Sequence, residues 1–301
     1  MILLPNRHSR PETLWKPVSP ELAKDLIPIA RQFWDGNWVV VEELQKRVLF
    51  SLNYRLWDKG EQWLYLKTVP VHNRVFVELR CDLAEWCARC GVPTPSPIRT
   101  RSGEWCHESG KLCLTAFPFI HGPHFRGTQE EFVAAIEVLR KLHDALNSYP
   151  ERETVVRSGL LGTHKSLAQT VNAFIIHGDF HPHNLLFPMD SMCMVIDLAR
   201  VGQGSVERDL ADALHRLGRQ VLIHEGVQDE AVIQGRIRTL QVLLKEIYGW
   251  EGQIYCRAWI EHKAKRKLGL LEGDNVSTLW SQEEAHWQRE YLREAVYFPN
   301  D

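Results

Sequence analysis

The segment His177-Gly178-Asp179-Phe180-His181-Pro182-His183-Asn184 brings an acid, an amide and several imidazoles together, and a second acid, Asp197, follows in Val195-Ile196-Asp197-Leu198-Ala199. Each polar cluster comes directly after a short apolar run, Phe174-Ile175-Ile176 in one case and Met194-Val195-Ile196 in the other. Strand ends of this kind hold side chains rigidly while leaving them open to a cleft. The residue types suit phosphoryl transfer from a nucleotide. A carboxylate beside the acceptor hydroxyl orients it and gives its proton a destination, and a metal ion neutralises phosphate charge. Mg²⁺ takes hard oxygen ligands and keeps several waters, so one carboxylate and one amide oxygen suffice for it. Asp179, Asn184 and Asp197 supply that set.

Elements must position these groups. Ser19-Pro20-Glu21 predicts a helix start, with a capping serine and proline in the first turn, and Pro28 limits how that helix continues. Val48, Phe50, Leu52, Tyr54 and Leu56 alternate with other residues, a period of two that predicts a strand with one buried face. Asp58-Lys59-Gly60 predicts a turn, and Trp63 to Val69 a second strand that completes a hairpin, with Lys67 near its end. Phe76, Leu79, Leu83, Trp86, Cys87 and Cys90 recur at helical spacing, and Gly91 with Pro93, Pro95 and Pro97 stops that helix. Leu112 to Phe117 predicts another strand, and Pro118 to Pro123 a connector between two lobes. Thr128 and Glu131 predict a capping box on a helix carrying Phe132, Ala135, Ile136, Leu139, Leu142 and Leu146 on one face. Leu185-Leu186-Phe187 and Met194-Val195-Ile196 predict short strands around a turn at Pro188-Met189-Asp190-Ser191. From Glu207 onward the pattern is helical, with Ile233, Ile237, Leu240 and Leu244 as one stripe. Strands precede helices, so the fold class is α+β in two lobes: residues 1–120 as a small mixed N-lobe and 121–301 as a mainly helical C-lobe.

Composition excludes several classes. With 36 basic and 38 acidic residues the net charge is -2, without the basic excess typical of nucleic-acid binders. No stretch reaches the ~20 apolar residues of a membrane helix, and the apolar run at the N-terminus is too short for a signal peptide. Seven cysteines fit a reduced compartment better than a disulfide framework, so the expected location is the cytoplasm. Cys87 and Cys90, with Cys106, His107 and Cys113 downstream, invite a zinc reading, but Cys87 and Cys90 fall on the apolar stripe of their helix. His143 reads as a satisfied buried histidine, and the basic run His262 to Lys267 as a solvated helix face.

The spacing Asp-x-x-x-x-Asn followed by a further Asp is that of the kinase catalytic loop. His177-Gly178-Asp179 with Asn184, then Ile196-Asp197, resembles the signature of the aminoglycoside phosphotransferase and choline kinase superfamily, small-molecule relatives of protein kinases. Glu207-Arg208-Asp209-Leu210-Ala211, Leu139 to His143, Leu66-Lys67 and Gly91-Val92-Pro93-Thr94-Pro95 are similar to further elements of that family, so the resemblance runs with gaps from about Asn53 to about Leu214. It implies a protein-kinase-like two-lobe fold and ATP- and Mg²⁺-dependent transfer to a hydroxyl of a small molecule that is aminoglycoside-, choline- or sugar-like. It implies Asp179 as the catalytic carboxylate, His177 as a brace of the catalytic loop, and Asn184 and Asp197 as Mg²⁺ ligands. Lys67 is then the partner of the ATP phosphates and Glu78, or Glu85 on a similar face, the partner of Lys67. Asn53 stands for the phosphate loop, and Phe117 to Ile120, with Phe119 among them, for the connector that reads adenine. The chain departs from the pattern in lacking glycines around Asn53 and in having Leu198-Ala199 after the metal acid. A protein Ser/Thr kinase, a catalytically silent nucleotide-binding scaffold and a zinc module stay open as other readings.

Overall fold

The computed structural model describes residues 15–44, 52–58, 63–162, 174–189, 192–225 and 230–249. Val48, Phe50, Lys59 and Gly60 of the first turn, Asp190 and Ser191 of the second, and the basic run from His262 lie outside them.

The first lobe is a six-stranded antiparallel sheet in the order β1-β2-β3-β4-β6-β5, built from β1 (Trp15–Pro17), β2 (Trp38–Leu44), β3 (Leu52–Asp58), β4 (Trp63–Pro70), β5 (Cys106–Ser109) and β6 (Leu112–Pro118). Alternation along β3 and β4 sorts the side chains between its faces. Tyr54, Leu56, Leu64 and Leu66 are buried against helix α1 (Pro20–Phe33) through Leu26, Ala30 and Trp34. The intervening residues face the other way: Asn53 pairs across the strands with Lys67 and Lys67 with Thr115, while Arg55 pairs with Tyr65 and Tyr65 with Phe117. That second face carries the polar chemistry.

Ser19 caps α1 by accepting a hydrogen bond from the Leu22 N–H at 3.3 Å, with Pro20 at the first position. The helix runs through Pro28 to Phe33, farther than proline alone predicts. Pro28 is exposed, so the carbonyl that loses its partner faces water and the break costs little.

Helix α2 (Arg74–Arg89) joins the lobes. Val77 and Cys81 pack with Trp105, Cys106 and Cys113 of the first lobe, whereas Leu79, Leu83, Ala84 and Cys87 belong to the core of the second. The connector after β6 passes so close to strand β8 (Leu185–Met189) that a Cβ on Gly122 would lie 2.9 Å from the Pro188 backbone. Glycine is required there by space.

The second lobe is organised around α3 (Gln129–Asn147), whose Phe132, Ala135, Ile136, Leu139, Leu142 and Leu146 are wholly buried. Thr128 Oγ1 caps it by accepting from the Glu131 N–H at 3.2 Å. The Glu131 carboxylate bonds the Arg126 and Gly127 N–H groups and the Arg126 guanidinium, so it orders the entry loop instead of closing a reciprocal capping box. Around α3 stand α4 (Arg152–Ser158), α5 (Val206–Glu225), α6 (Glu230–Tyr248) and two small antiparallel pairs. One pair is β8 with β9 (Met192–Val195), and the other is β7 (Phe174–Ile176) with β10 (Gly202–Gly204). Leu240 and Leu244 are buried on α6 as the stripe predicts; the side chains of Ile233 and Ile237 lie outside the described residues. The architecture is α+β, with an antiparallel first lobe and a mainly helical second lobe. Among the described residues no helix is long and apolar enough to cross a membrane.

Candidate functional site

The catalytic-loop segment begins where β7 ends. His177 and Gly178 both donate backbone N–H groups to one carboxylate, that of Asp209 in the first turn of α5, at 2.7 and 2.9 Å. The same carboxylate accepts from His143 Nε2 at 2.9 Å, and His143 Nδ1 in turn bonds the Tyr248 hydroxyl. Asp209 is fully buried. Burial pushes its carboxyl upward, but the hydrogen bond and charge of His143 and the backbone donors outweigh that and hold it below the usual carboxylate range. Gly178 has φ 75°, a left-handed conformation that glycine adopts without strain. It turns the chain so that Asp179 projects outward. His177 is wholly buried, held below the usual imidazole range by desolvation, and its Nδ1 accepts the Asp179 N–H at 3.2 Å. It braces the turn from inside, while Asp209 and His143 brace it from behind.

Asp179 is partly exposed and meets Arg216 of α5, whose Nη1 donates to Oδ1 at 2.9 Å. His181 Nε2 stands 3.6 Å from Oδ2. His181 Nδ1 accepts the His183 N–H, which leaves Nε2 as the nitrogen that carries a proton toward Asp179. Burial works to raise the Asp179 carboxyl, but His181 and then Arg216 hold it well below the usual range. A carboxylate this stabilised is a weak base, suited to orienting a hydroxyl more than to removing its proton early in a reaction.

Asn184 is buried, and its amide nitrogen donates to the Asp179 carbonyl at 3.0 Å. That bond leaves the amide oxygen as the atom to meet a cation. The Asn184 carbonyl accepts from the Ile196 N–H at 2.9 Å, so the loop and the second acid are stitched together. Asp197 has φ 64° and is the sole non-glycine residue with positive φ among the described residues. Such strain persists where the surroundings impose it, commonly at functional sites. Its Oδ1 accepts from Lys67 Nζ at 2.6 Å and from the Ala199 N–H at 3.1 Å. The donor set fits a divalent cation held by Asn184 and Asp197: hard oxygens, one amide and one carboxylate, on adjoining backbone.

Lys67 and Asp197, 130 residues apart in the chain, meet in a cavity of about 210 Å³ between the lobes. β4 and β6 form its roof with Tyr65, Lys67, Thr115 and Phe117. The connector supplies Phe119, Ile120 and His121, and Leu186, Ile196 and Leu198 close the floor.

Two expectations are corrected. Glu78 does not pair with Lys67; its carboxylate takes Arg74 at 2.7 Å, and Arg74 also reaches Glu108 and Glu104. The face of α2 toward the cavity is Val77, Arg80, Cys81 and Ala84, the i, i+3, i+4, i+7 set, and Glu78 is off it. Glu85 pairs with Arg99. Asn53 is not at the cavity wall. It is buried on the same face as Lys67, and its Oδ1 accepts from the Tyr65 hydroxyl at 2.7 Å, so it supports a lining residue from behind. The zinc reading also lacks a site: Cys87 sits in the second-lobe core and Cys106 and Cys113 in a separate cluster with Cys81. Among the described residues no three His, Cys, Asp or Glu side chains group as metal ligands.

Sequence reasoning missed Trp15, Arg80 and Arg216, and gave Asp209 no role. Trp15 reaches the cavity from β1, edge-on to Phe119 at 5.9 Å, with the Arg55 guanidinium 4.9 Å over its ring. No local pattern marks a three-residue strand. Asp209 alone had a usable signal, an acid opening a helix within the recognised Asp-Leu-Ala element.

Residues 160–236 match the model of the phosphotransferase enzyme family (APH). No curated protein sequence matches the chain. Among solved structures, a spectinomycin phosphotransferase in complex with ADP and spectinomycin is similar over 91% of this chain and 93% of its own, with a TM-score of 0.59 and 14% identity. An amicoumacin kinase in complex with AMP-PNP, Ca²⁺ and Ami is similar over 93% of both chains, with a TM-score of 0.60 and 13% identity. A microcompartment-associated aminopropanol kinase covers 91% of this chain and 95% of its own, with a TM-score of 0.57 and 14% identity. At such identities the likeness is one of fold, and it runs almost end to end. The family match lies on the catalytic-loop and second-acid segments, and the likeness of fold extends over nearly the whole chain.

Proposed function

We propose that the protein transfers the γ-phosphate of ATP to a hydroxyl group of a small molecule. The observation that carries this reading is the meeting of Lys67 and Asp197 at 2.6 Å in the interlobe cavity, on backbone tied directly to the Asp179–Asn184 loop. Nucleotide phosphates would lie against Lys67, and the base end against Phe117, Phe119 and Trp15. Mg²⁺, when bound by Asn184 and Asp197, would neutralise phosphate charge. Asp179 orients the acceptor hydroxyl and receives its proton late, as transfer in a loose transition state allows. Arg216 and His181 keep that carboxylate ionised and aimed. Similar folds act on spectinomycin, amicoumacin and aminopropanol, which supports a hydroxyl-bearing metabolite or antibiotic as the acceptor class.

The test is acceptor-dependent ADP release with Mg²⁺ across aminoglycosides, amino alcohols, choline and sugars, with Asp197→Ala as control. The reading expects turnover with at least one acceptor and its loss in the variant. Turnover that survives Asp197→Ala, or label moving to a protein and to none of the small molecules, overturns it.

Trp15 adds a second expected result. Trp15→Ala removes a ring from the base end, and base–aromatic stacking is worth about 1–3 kcal/mol. Affinity for ATP and for adenosine should fall together by about 10-fold with kcat little changed, as read by calorimetry and steady-state kinetics. An unchanged adenosine affinity would show that the ring does not touch the base.

A further inference from the structure

Among the charged side chains that line the interlobe cavity, Lys67 and Arg80 are cations and Asp197 is the carboxylate. Lys67 already neutralises Asp197 at 2.6 Å. Arg80 is left over. Its Nε is shielded from solvent and has no hydrogen-bond partner among the described residues. Burial lowers its pKa, Asp197 pulls the other way, and Arg200 adds to the lowering. A guanidinium stays protonated under such pressure, so a full positive charge faces the cavity without a bonded counter-ion.

Arg80 as a whole is half-buried, and leaving a partly desolvated cation unpaired carries a cost. A buried polar group without a partner calls for a physical explanation, and a ligand that brings negative charge to this wall supplies one. Arg80 stands on the cavity face of α2 beside Val77, Cys81 and Ala84. The family resemblance implies an acid on this helix as partner of Lys67, but Glu78 is turned away to Arg74. The charge that α2 presents to the Lys67–Asp197 pair is therefore positive.

We propose that Arg80 binds the phosphates of the nucleotide directly, forming with Lys67 a two-cation clamp for nucleoside di- and triphosphates. The proposal rests on the cavity being the nucleotide site. The guanidinium fork suits two phosphate oxygens at once, which the point charge of lysine cannot match. α2 then closes on its ligand through a phosphate contact instead of through an acid–lysine pair. The clamp also frees Asp197, because phosphates that draw Lys67 away leave the carboxylate to a metal ion.

Binding of ATP, ADP and adenosine to the parent chain, Arg80→Gln and Arg80→Lys, measured by calorimetry with Mg²⁺, tests this. Arg80→Gln should weaken ATP about 30-fold and ADP about 10-fold and leave adenosine unchanged, and Arg80→Lys should fall between. Thermal melting of each variant controls for folding, and the lysine variant keeps the charge if glutamine disturbs α2. Equal ATP affinity in the parent and Arg80→Gln overturns the clamp and leaves the nucleotide reading intact. Equal weakening of ATP and adenosine replaces it with a packing role. A parent chain that binds none of the three sinks both.

Discussion

Asp179→Asn should lower phosphoryl transfer by about 10³-fold while Mg²⁺–ATP binding stays within about 3-fold of the parent. On the proposed function the carboxylate would touch the acceptor hydroxyl, and the nucleotide would meet Lys67 across the cavity. Asparagine is the better substitution. Alanine would leave Arg216, donating to Asp179 at 2.9 Å, with its charge unpaired in a partly buried setting. Asparagine keeps an acceptor for it and removes only the negative charge. Single-turnover kinetics at saturating nucleotide measure the effect directly. A kcat within 10-fold of the parent would remove Asp179 from the chemistry. An equal loss of nucleotide affinity would make it a structural residue instead.

The second large effect concerns stability. Asp209→Ala removes a fully buried carboxylate that satisfies the His177 and Gly178 N–H groups and His143 Nε2. Three buried donors lose their acceptor at once, and a loss of about 3–5 kcal/mol is expected. Against a total stability of about 5–15 kcal/mol this brings the chain close to unfolding. Asp209→Asn should do little better, because its amide must place a donor against a donor. Urea unfolding gives the difference. A cost below about 1 kcal/mol would mean that water or another acceptor replaces the carboxylate. The acid limb follows the same bonds. With the folded-state pKa of Asp209 held below its unfolded value, the contribution is complete above about pH 4. It is lost as pH falls from there toward the depressed value. Acid unfolding of the parent should begin in that range from this group, and Asp209→Asn should lack that component.

Much of the local structure is legible along the chain because it depends on near neighbours. Ser19 and Thr128 cap their helices through bonds three residues away, and the buried stripe of α3 is a property of its own spacing. β5 and β10 are different. Gly202-Gln203-Gly204 has almost no side chains to pattern, and it becomes a strand because β7 lies beside it. Pro28 limits how α1 can continue, yet solvent on that face makes the break cheap enough for the helix to run on to Phe33.

The site divides in the same way. Asp179, Asn184 and Asp197 lie within one short stretch, and the turn chemistry that shapes it, left-handed Gly178 and the Asn184–Asp179 bond, is local. The sequence by itself therefore set out the candidate reacting groups, the class of chemistry proposed for them, and most of the strands and helices that carry them. Tertiary structure alone decided who meets whom across the lobes. Lys67 takes Asp197 and not Glu78, Arg216 reaches Asp179 from 37 residues away, and Trp15 and Arg80 enter the cavity. The physical reason is that Glu78 and Arg80, two residues apart, point to nearly opposite sides of α2 at about 100° per residue, so the rotation of the helix about its axis decides which of them faces the cavity. That rotation is set by packing of Leu79, Leu83 and Cys87 into the second-lobe core, a sum over many weak contacts that no short segment encodes.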